Sequence, residues 1–366
     1  MVSVSQRGSG TLLQRLSSGR SFLFRAVEFD YSFPVPSCMP VKRLRSRLAT
    51  IAQVLSLALL AVWVVGQILR DCNWWIGLMF YFPTPVLVAW LSLLAGVSQN
   101  KRLFYLGLLI APVLMLLSVE NQWIRPLPPG MADSSPSAVQ HVSLFEQKGN
   151  SPQRRLVHWN LARGVMGWEQ QWRHIESLRP DIIVLSEIPQ PFDSSMLPGY
   201  NVLTVDCMAV ACHGAMTTSG SLIRGRALLA YHVTCRFEDG PLELMVADMT
   251  SNIALPRDPY LRQFVALLEE RKIDVSVGDF NAPRRSMAFC ELPKDFQHAY
   301  DAAGSGWSCT WPVPVPFLAI DQCITGPRTV PVHYELQSTM LSDHRLQILD
   351  FKVAGEMNGD HANPAF

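Results

Sequence analysis

Residues 271–285 read RKIDVSVGDFNAPRR, and the reading of this stretch decides the fold. Ile273 to Gly278 is predicted as a short strand. GDFN follows it, so Asp279 and Asn281 stand where the strand gives way to a loop. Taken alone, GDFN suits a turn, because Gly, Asp and Asn favour turns. Its meaning depends on what the rest of the chain brings beside it.

Working outward, Arg155–Ala162 (RLVHWNLA) and Asp181–Ile188 (DIIVLSEI) are short apolar runs rich in β-branched residues, and each predicts a strand. Between them, Trp168, Trp172, Ile175 and Leu178 recur at helical spacing and the pattern stops at Pro180. Pro259–Lys272 predicts a second helix, with Leu261, Phe264, Val265 and Leu268 on one face. Further strands are predicted over Leu228–Cys235, Leu242–Asp248, Phe317–Cys323 and Arg345–Phe351. Strands mixed with helices over some 200 residues predict a layered α/β domain.

Polar residues break this pattern at comparable places. Asn160 ends the first strand and Glu187 ends the second. Asp279 and Asn281 follow the strand in GDFN, Asp321 lies in LAIDQC, and Asp343–His344 form SDH before the last strand. One sheet edge can gather them, and α/β sheets bind ligands at such an edge. Carboxylate and amide oxygens suit Mg²⁺, with Mn²⁺ as a substitute; such an ion keeps waters and also binds phosphate. It neutralises charge on phosphoryl oxygens. A His held by an Asp moves a proton at neutral pH or donates to phosphate.

WN, LSE, GDFN, ID and SDH, in that order over about residues 154–353, resemble the endonuclease/exonuclease/phosphatase superfamily with its deoxyribonuclease-like fold. TWP at Thr310–Pro312 also resembles that family's approach to its Asp. The resemblance implies a four-layer α/β sandwich of two packed mixed sheets flanked by helices. It implies a metal site at Glu187, the principal ligand, with Asn160 and Asp343. It also implies a catalytic set of His344, polarised by Asp321, with Asp279 and Asn281 orienting the water and the phosphate. Two departures stand out. Where the family carries His or Tyr after the central strand, this chain reads ADMTSN, placing Met249 or Thr250 there. The familiar IDH is IDQ, with Gln322. His158, His213, His232 and His298 are the candidates to fill the gap.

The N-terminal half has a different character. Leu48–Leu69 and Trp74–Val97 are long and apolar, Leu103–Val119 is a shorter apolar run, and all three are predicted as transmembrane helices. Lys42, Arg43, Arg45 and Arg47 precede the first, and Lys101 and Arg102 separate the second from the third. Positive charge stays on the cytoplasmic side, so the expected order is a cytoplasmic tail over 1–47, three spans within 48–119, a linker over 120–153, an extracytoplasmic domain over 154–355 and a tail over 356–366. Residues 1–147 carry 12 Lys/Arg against 6 Asp/Glu, and residues 148–366 carry 19 against 24. That acidic balance weighs against non-specific nucleic-acid binding, which needs Lys and Arg. The eight cysteines form no paired CxxC zinc pattern.

The chain therefore reads as a multi-pass, membrane-embedded, divalent-metal-dependent phosphoesterase of phosphodiesterase or nuclease type. Its expected substrate is a phosphate ester, nucleic acid or phospholipid head group, with no defined protein partner. The alternative is a membrane-bound binding or scaffold protein that keeps the fold with weakened catalysis, toward which ADMTSN points.

Overall fold

The structure, a computed structural model, describes residues 41–97, 109, 113 and 153–353. From Arg154 to Val353 the chain forms two six-stranded mixed sheets. In the first, β1 (Arg154–Asn160), β2 (Ile182–Ser186), β3 (Asn201–Val205) and β4 (Met208–Cys212) join β11 (Thr329–Gln337) and β12 (Leu346–Val353), in the order β11-β12-β1-β2-β4-β3. In the second, β5 (Ala215–Arg224), β6 (Leu228–Phe237), β7 (Gly240–Met249), β8 (Val275–Asp279), β9 (Gln297–His298) and β10 (Asp321–Thr325) run β5-β6-β7-β8-β10-β9. Helix α4 (Trp168–Ser177) links the parallel pair β1 and β2, and α5 (Asp258–Glu270) links the parallel pair β7 and β8. A short helix, α6 (Ala299–Ala303), follows β9.

Side-chain alternation explains why these strands stack. Along a strand, successive residues face opposite sides. Leu156 on β1, Ile182 and Val184 on β2, Leu244 and Val246 on β7, and Val275 and Val277 on β8 share one core between the sheets. The residues between them face outward. Val157, Trp159, Ile183 and Leu185 pack with Ile175 of α4, while Met245 and Ala247 pack with Leu261, Phe264 and Leu268 of α5. The two outer helices thus complete the α/β sandwich expected from the sequence. Six predicted strands recur closely, as β1, β2, β6, β7, β8 and β12. The predicted Phe317–Cys323 strand begins later, at Asp321, because residues 317 and 318 turn back to bond Trp311.

The N-terminal segment corrects the expectation of three transmembrane helices: among the described residues one helix is long and apolar enough. Helix α1 (Val41–Leu69) contains one stretch, Arg47–Leu69, long and apolar enough to cross a bilayer, and 11% of its apolar window is buried in protein. The predicted second span is instead two helices, α2 (Trp74–Phe80) and α3 (Thr84–Val97), bent by 59°. Its physical cause is local: Pro83 and Pro85 interrupt helical hydrogen bonding there, and Tyr81 is drawn against the core beside α5. The third predicted span lies outside the described residues, apart from Leu109 and Val113.

The turn between α1 and α2 is bonded to the α/β domain. The buried Asp71 accepts from Met287 N at 2.7 Å, Arg70 donates to Arg285 O at 3.2 Å, and Trp74 Nε1 donates to Ile253 O at 2.8 Å.

Gly278 sets the spacing of β7 and β8. A Cβ there would run into the Ala247 backbone, directly before Asp279. Gly278→Ala should destabilise the protein by about 1–3 kcal/mol, the range for overpacking a tight interior. Thermal unfolding of the purified chain would show it, and an unchanged midpoint would contradict the close approach.

Candidate active site

The same alternation aims the polar residues. Asn160 follows Leu156 and His158 on the inward face of β1. Asp279 follows Val275 and Val277, and Asp248 follows Leu244 and Val246. Asp321 shares its face of β10 with Cys323, another member of the inner core. Each therefore caps the apolar layer at one edge of the sandwich. Strand register completes the grouping: Asp248 is paired with Asp279, and Asp279 with Asp321.

The geometry is compact. His344 Nδ1 donates to Asp321 Oδ2 at 2.9 Å, and its Nε2 lies 3.9 Å from Asp279 Oδ2. The ligand atoms of Asp279, Asp321 and His344 all lie within 4.8 Å of one another. Asn160 Nδ2 donates to Asp279 Oδ2 at 3.0 Å and reaches Glu187 Oε1 at 3.4 Å. Ser342 Oγ donates to Asn160 O and accepts from His344 N, tying the β12 loop to β1. The structure thus brings Asn160, Glu187, Asp279, Asp321 and His344 onto one rim.

Asn281 and Asp343 lie beside this rim with hydrogen bonds of their own. Asn281 Nδ2 donates to Met249 O at 2.6 Å and its backbone N donates to Asp279 Oδ1 at 2.8 Å, so it braces the carboxylate and the end of β7. Asp343 Oδ2 accepts from Trp311 Nε1 at 3.0 Å, while its buried Oδ1 has no hydrogen-bond partner among the described residues.

Asp248 is the residue that sequence reasoning missed. Of Met249 and Thr250, the two residues at the place after the central strand, Met249 is buried in the outer core beneath α5 and Thr250 lines the neighbouring cleft. The Asp248 carboxylate stands next to Asp279 and accepts from the Cys207 thiol at 2.7 Å. A signal was available in VADM, an inward-facing Asp at a strand end parallel to VGD. The four spare histidines are engaged elsewhere. His213 stacks on Tyr200, His232 bonds Glu243, and His298 is buried against Phe289. His158 sits in a buried chain: Tyr334 donates to Gln347, Gln347 to His158 Nδ1, and His158 Nε2 to Ser186 Oγ.

Electrostatics follow from burial and crowding. Burial pushes the Asp279 carboxyl well above its usual range, and the charges of Asp321 and Asp248 add to this. Burial also pushes Asp248 up to about 6, aided by Glu187 and Asp321. Asp321 is held low: burial opposes its charge, but the His344 imidazolium overrides that. His344 is in turn pushed up to about 9, since Asp321, Asp279 and Asp343 outweigh desolvation. Four carboxylates, those of Glu187, Asp248, Asp279 and Asp321, thus share this rim with His344 and Arg163. This surplus of hard, negatively charged oxygens fits a divalent cation. Glu187 offers the most open of these carboxylates, 37% exposed and 3.6 Å from Arg163 Nε.

Beside the rim lies a cleft of ≈ 670 Å³ lined in part by Arg163, Glu187, Arg226, Asp248, Thr250 and Asn281. Backbone strain concentrates around it. Ala162, Arg163, Glu187 and Asn281 all have φ between 45° and 57°, in the left-handed region that costs non-glycine residues energy and persists where surroundings enforce it.

No protein-family model matches the chain, and no curated protein matches it. The chain is similar to solved structures of endonuclease/exonuclease/phosphatase family proteins. Humanized D. rerio TDP2 is 16% identical, covering 54% of this chain and 98% of its own, with a TM-score of 0.46. A family protein from Bacteroides thetaiotaomicron is 14% identical, covering 56% and 99%, with a TM-score of 0.45. One from Bacteroides vulgatus is 17% identical, covering 55% and 99%, with a TM-score of 0.44.

His158 carries a test of the buried network. Desolvation holds its folded value at about 4, below the unfolded value of about 6.5. The unfolded chain therefore takes up a proton first as pH falls from 6.5 toward 4, and stability is lost across that window. Between pH 7.5 and 5 the wild type should lose about 2 kcal/mol more than His158→Gln. Urea unfolding at both pH values measures the difference, and equal losses would show that the ring charges freely.

Proposed function

We propose that this protein is a membrane-anchored, divalent-metal-dependent phosphoesterase that works from the sandwich edge. The observation that carries the reading is the His344–Asp321 pair set 3.9 Å from Asp279, beside Asn160 and Glu187. Glu187 and Asn160 would hold the cation, with Asp343 Oδ1 as a further oxygen on the loop that carries His344. When bound, the cation neutralises charge on the phosphoryl oxygens and steadies the leaving oxygen.

The chain's own residues do the rest. Asp321 fixes the His344 ring through Nδ1 and keeps it protonated near neutral pH, so Nε2–H donates to a phosphoryl oxygen. This favours the donor role over that of general base. Asp279 faces the same point and, in its ionised form, would take the proton of an attacking water. Asn281 holds Asp279 in place through its backbone N–H. Asn160 donates to Asp279 and so links the acceptor to the metal-side carboxylate.

Anchoring rests on α1, whose apolar surface has few protein partners and matches the hydrocarbon thickness in length. The α1–α2 turn bonds to the domain, so both lie on one side of the membrane. With the basic residues Lys42–Arg47 inside, that side is extracytoplasmic. A reporter fused after Phe366 that fluoresces only in the cytoplasm should be dark, and bright cells would reverse the orientation.

Glu187→Gln keeps size but loses charge, and it should abolish divalent-ion dependence with the fold intact. His344→Ala should lower turnover of an aryl phosphodiester by about 10²–10⁴-fold. Asp321→Asn should do less alone and add little to His344→Ala, because residues acting as a unit are non-additive. Kinetics of the four-member cycle decide it: independent, multiplying losses would separate Asp321 from His344. A wild type that binds divalent ions but turns over no phosphoester would instead favour the scaffold reading.

A further inference from the structure

Six large apolar side chains of the α/β domain are exposed among its described residues: Val165, Met166, Ile253, Val315, Val332 and Met340, at 45% to 78%. Single exposed apolar residues are ordinary. Their placement is not. Val165 and Met166 lie in the loop after β1, and Ile253 in the loop after β7. Val315 lies before β10 and Met340 before β12. Because β1, β7 and β8 reach the rim at their ends, and β10 and β12 leave it at their starts, these loops all emerge at the active-site edge. Only Val332 lies within a strand, β11.

The turn of the N-terminal helices docks on this same edge. Trp74 bonds the backbone of Ile253 itself, and Asp71 and Arg70 hold the loop after β8. Gln67, Phe80, Phe82 and Thr84 border a small cavity with Pro283, Phe317 and Leu318. Trp75, 67% exposed, stands at the head of α2, where aromatic residues mark the membrane–water boundary. One of the exposed loop tips, Ile253, thus lies directly against the turn that follows α1.

We propose that the active-site rim rests on the bilayer surface, with the tips of its loops in the interfacial layer, and that the substrate is the phosphate ester of a lipid head group. This rests on the phosphoesterase reading and narrows its substrate. A lipid ester is presented at a fixed depth beside the ≈ 670 Å³ cleft. Arg163 and Arg226, which line that cleft, supply charge-assisted donors for its phosphate. Apolar tips give a soluble polyanion nothing to bind, whereas interfacial lipid repays their burial.

Two measurements on the full chain reconstituted in phosphatidylcholine–phosphatidylglycerol vesicles test this. In the first, Val315→Trp and Met340→Trp should each add fluorescence that brominated acyl chains quench, while Val332→Trp should not. This readout is independent of turnover, so equal quenching at the three positions, or none at all, would overturn the rim contact whatever the enzyme's activity. In the second, released head group is compared with turnover of glycerophosphocholine, a single-stranded oligonucleotide and a soluble aryl phosphodiester. Vesicle lipid should be turned over at least tenfold faster than the chainless head-group ester or the oligonucleotide. Met166→Glu combined with Ile253→Glu should cut lipid turnover about tenfold and leave the aryl ester within twofold. Faster oligonucleotide turnover, or lipid turnover unaffected by the double variant, would sink the lipid assignment. Loss of all turnover in the wild type, with quenching intact, would instead count against the phosphoesterase reading.

Discussion

Two carboxylates meet across the β8–β10 pair, and the rim is arranged around them. Asp279 and Asp321 are register partners and both are buried. Ionised together they would repel, as like charges opposed across a ladder do, and burial would sharpen that repulsion. The site divides the problem. His344 lies against Asp321 and keeps it ionised, whereas Asp279 is left to hold a proton or to share a cation's field. Asn160 donates to Asp279 in either state. Asp248 joins the same arrangement from β7, its charge reduced by burial and its oxygen occupied by the Cys207 thiol. A hard cation beside Glu187 would relieve the repulsion that burial creates, so ion binding and stability should be linked in this protein.

The inner core pays for this concentration of charge. Sheet against sheet, Leu156, Val184, Leu244, Val246, Val275 and Val277 exclude water, and the polar cap begins where that layer stops. A buried aliphatic side chain contributes about 1.5–3 kcal/mol, so a handful of such residues offsets several strained loop positions of about 1–3 kcal/mol each. The loops that carry Arg163, Glu187 and Asn281 can remain in left-handed backbone because the strands beneath them are packed on both faces and paired in register.

Much of this was legible in the sequence, for a physical reason. Buried strands with β-branched residues, such as β1, β2 and β8, announce themselves, and so does α5 with its apolar stripe. The order WN, LSE, GDFN, ID and SDH located the rim residues because each sits where an apolar run ends. The strands that went unread are of two kinds. β5, with AMTTSGSLIR, is an edge strand with most of its residues in contact with solvent, so no alternation marks it. β4 is too short and too uniformly apolar to distinguish from a buried helical turn. Asp248 went unread because its role follows from register with Asp279, and register is a property of the sheet rather than of the segment. The break between α2 and α3 was visible as two prolines, yet the pull of the domain on Tyr81 was not.

Alternation on the strands also fixes how this chain can vary. Deleting one residue from β8 ahead of Gly278 would leave an apolar run that still makes a strand, but it would turn Asp279 from the space between the sheets toward α5. A change of two residues would restore the facing while shifting the carboxylate along the sheet by one full repeat. Point substitutions can therefore tune the rim gradually, whereas length changes within these strands act as frame errors in three dimensions. Changes of length that leave the rim intact are then confined to the loops, which carry Arg163, Glu187 and Asn281.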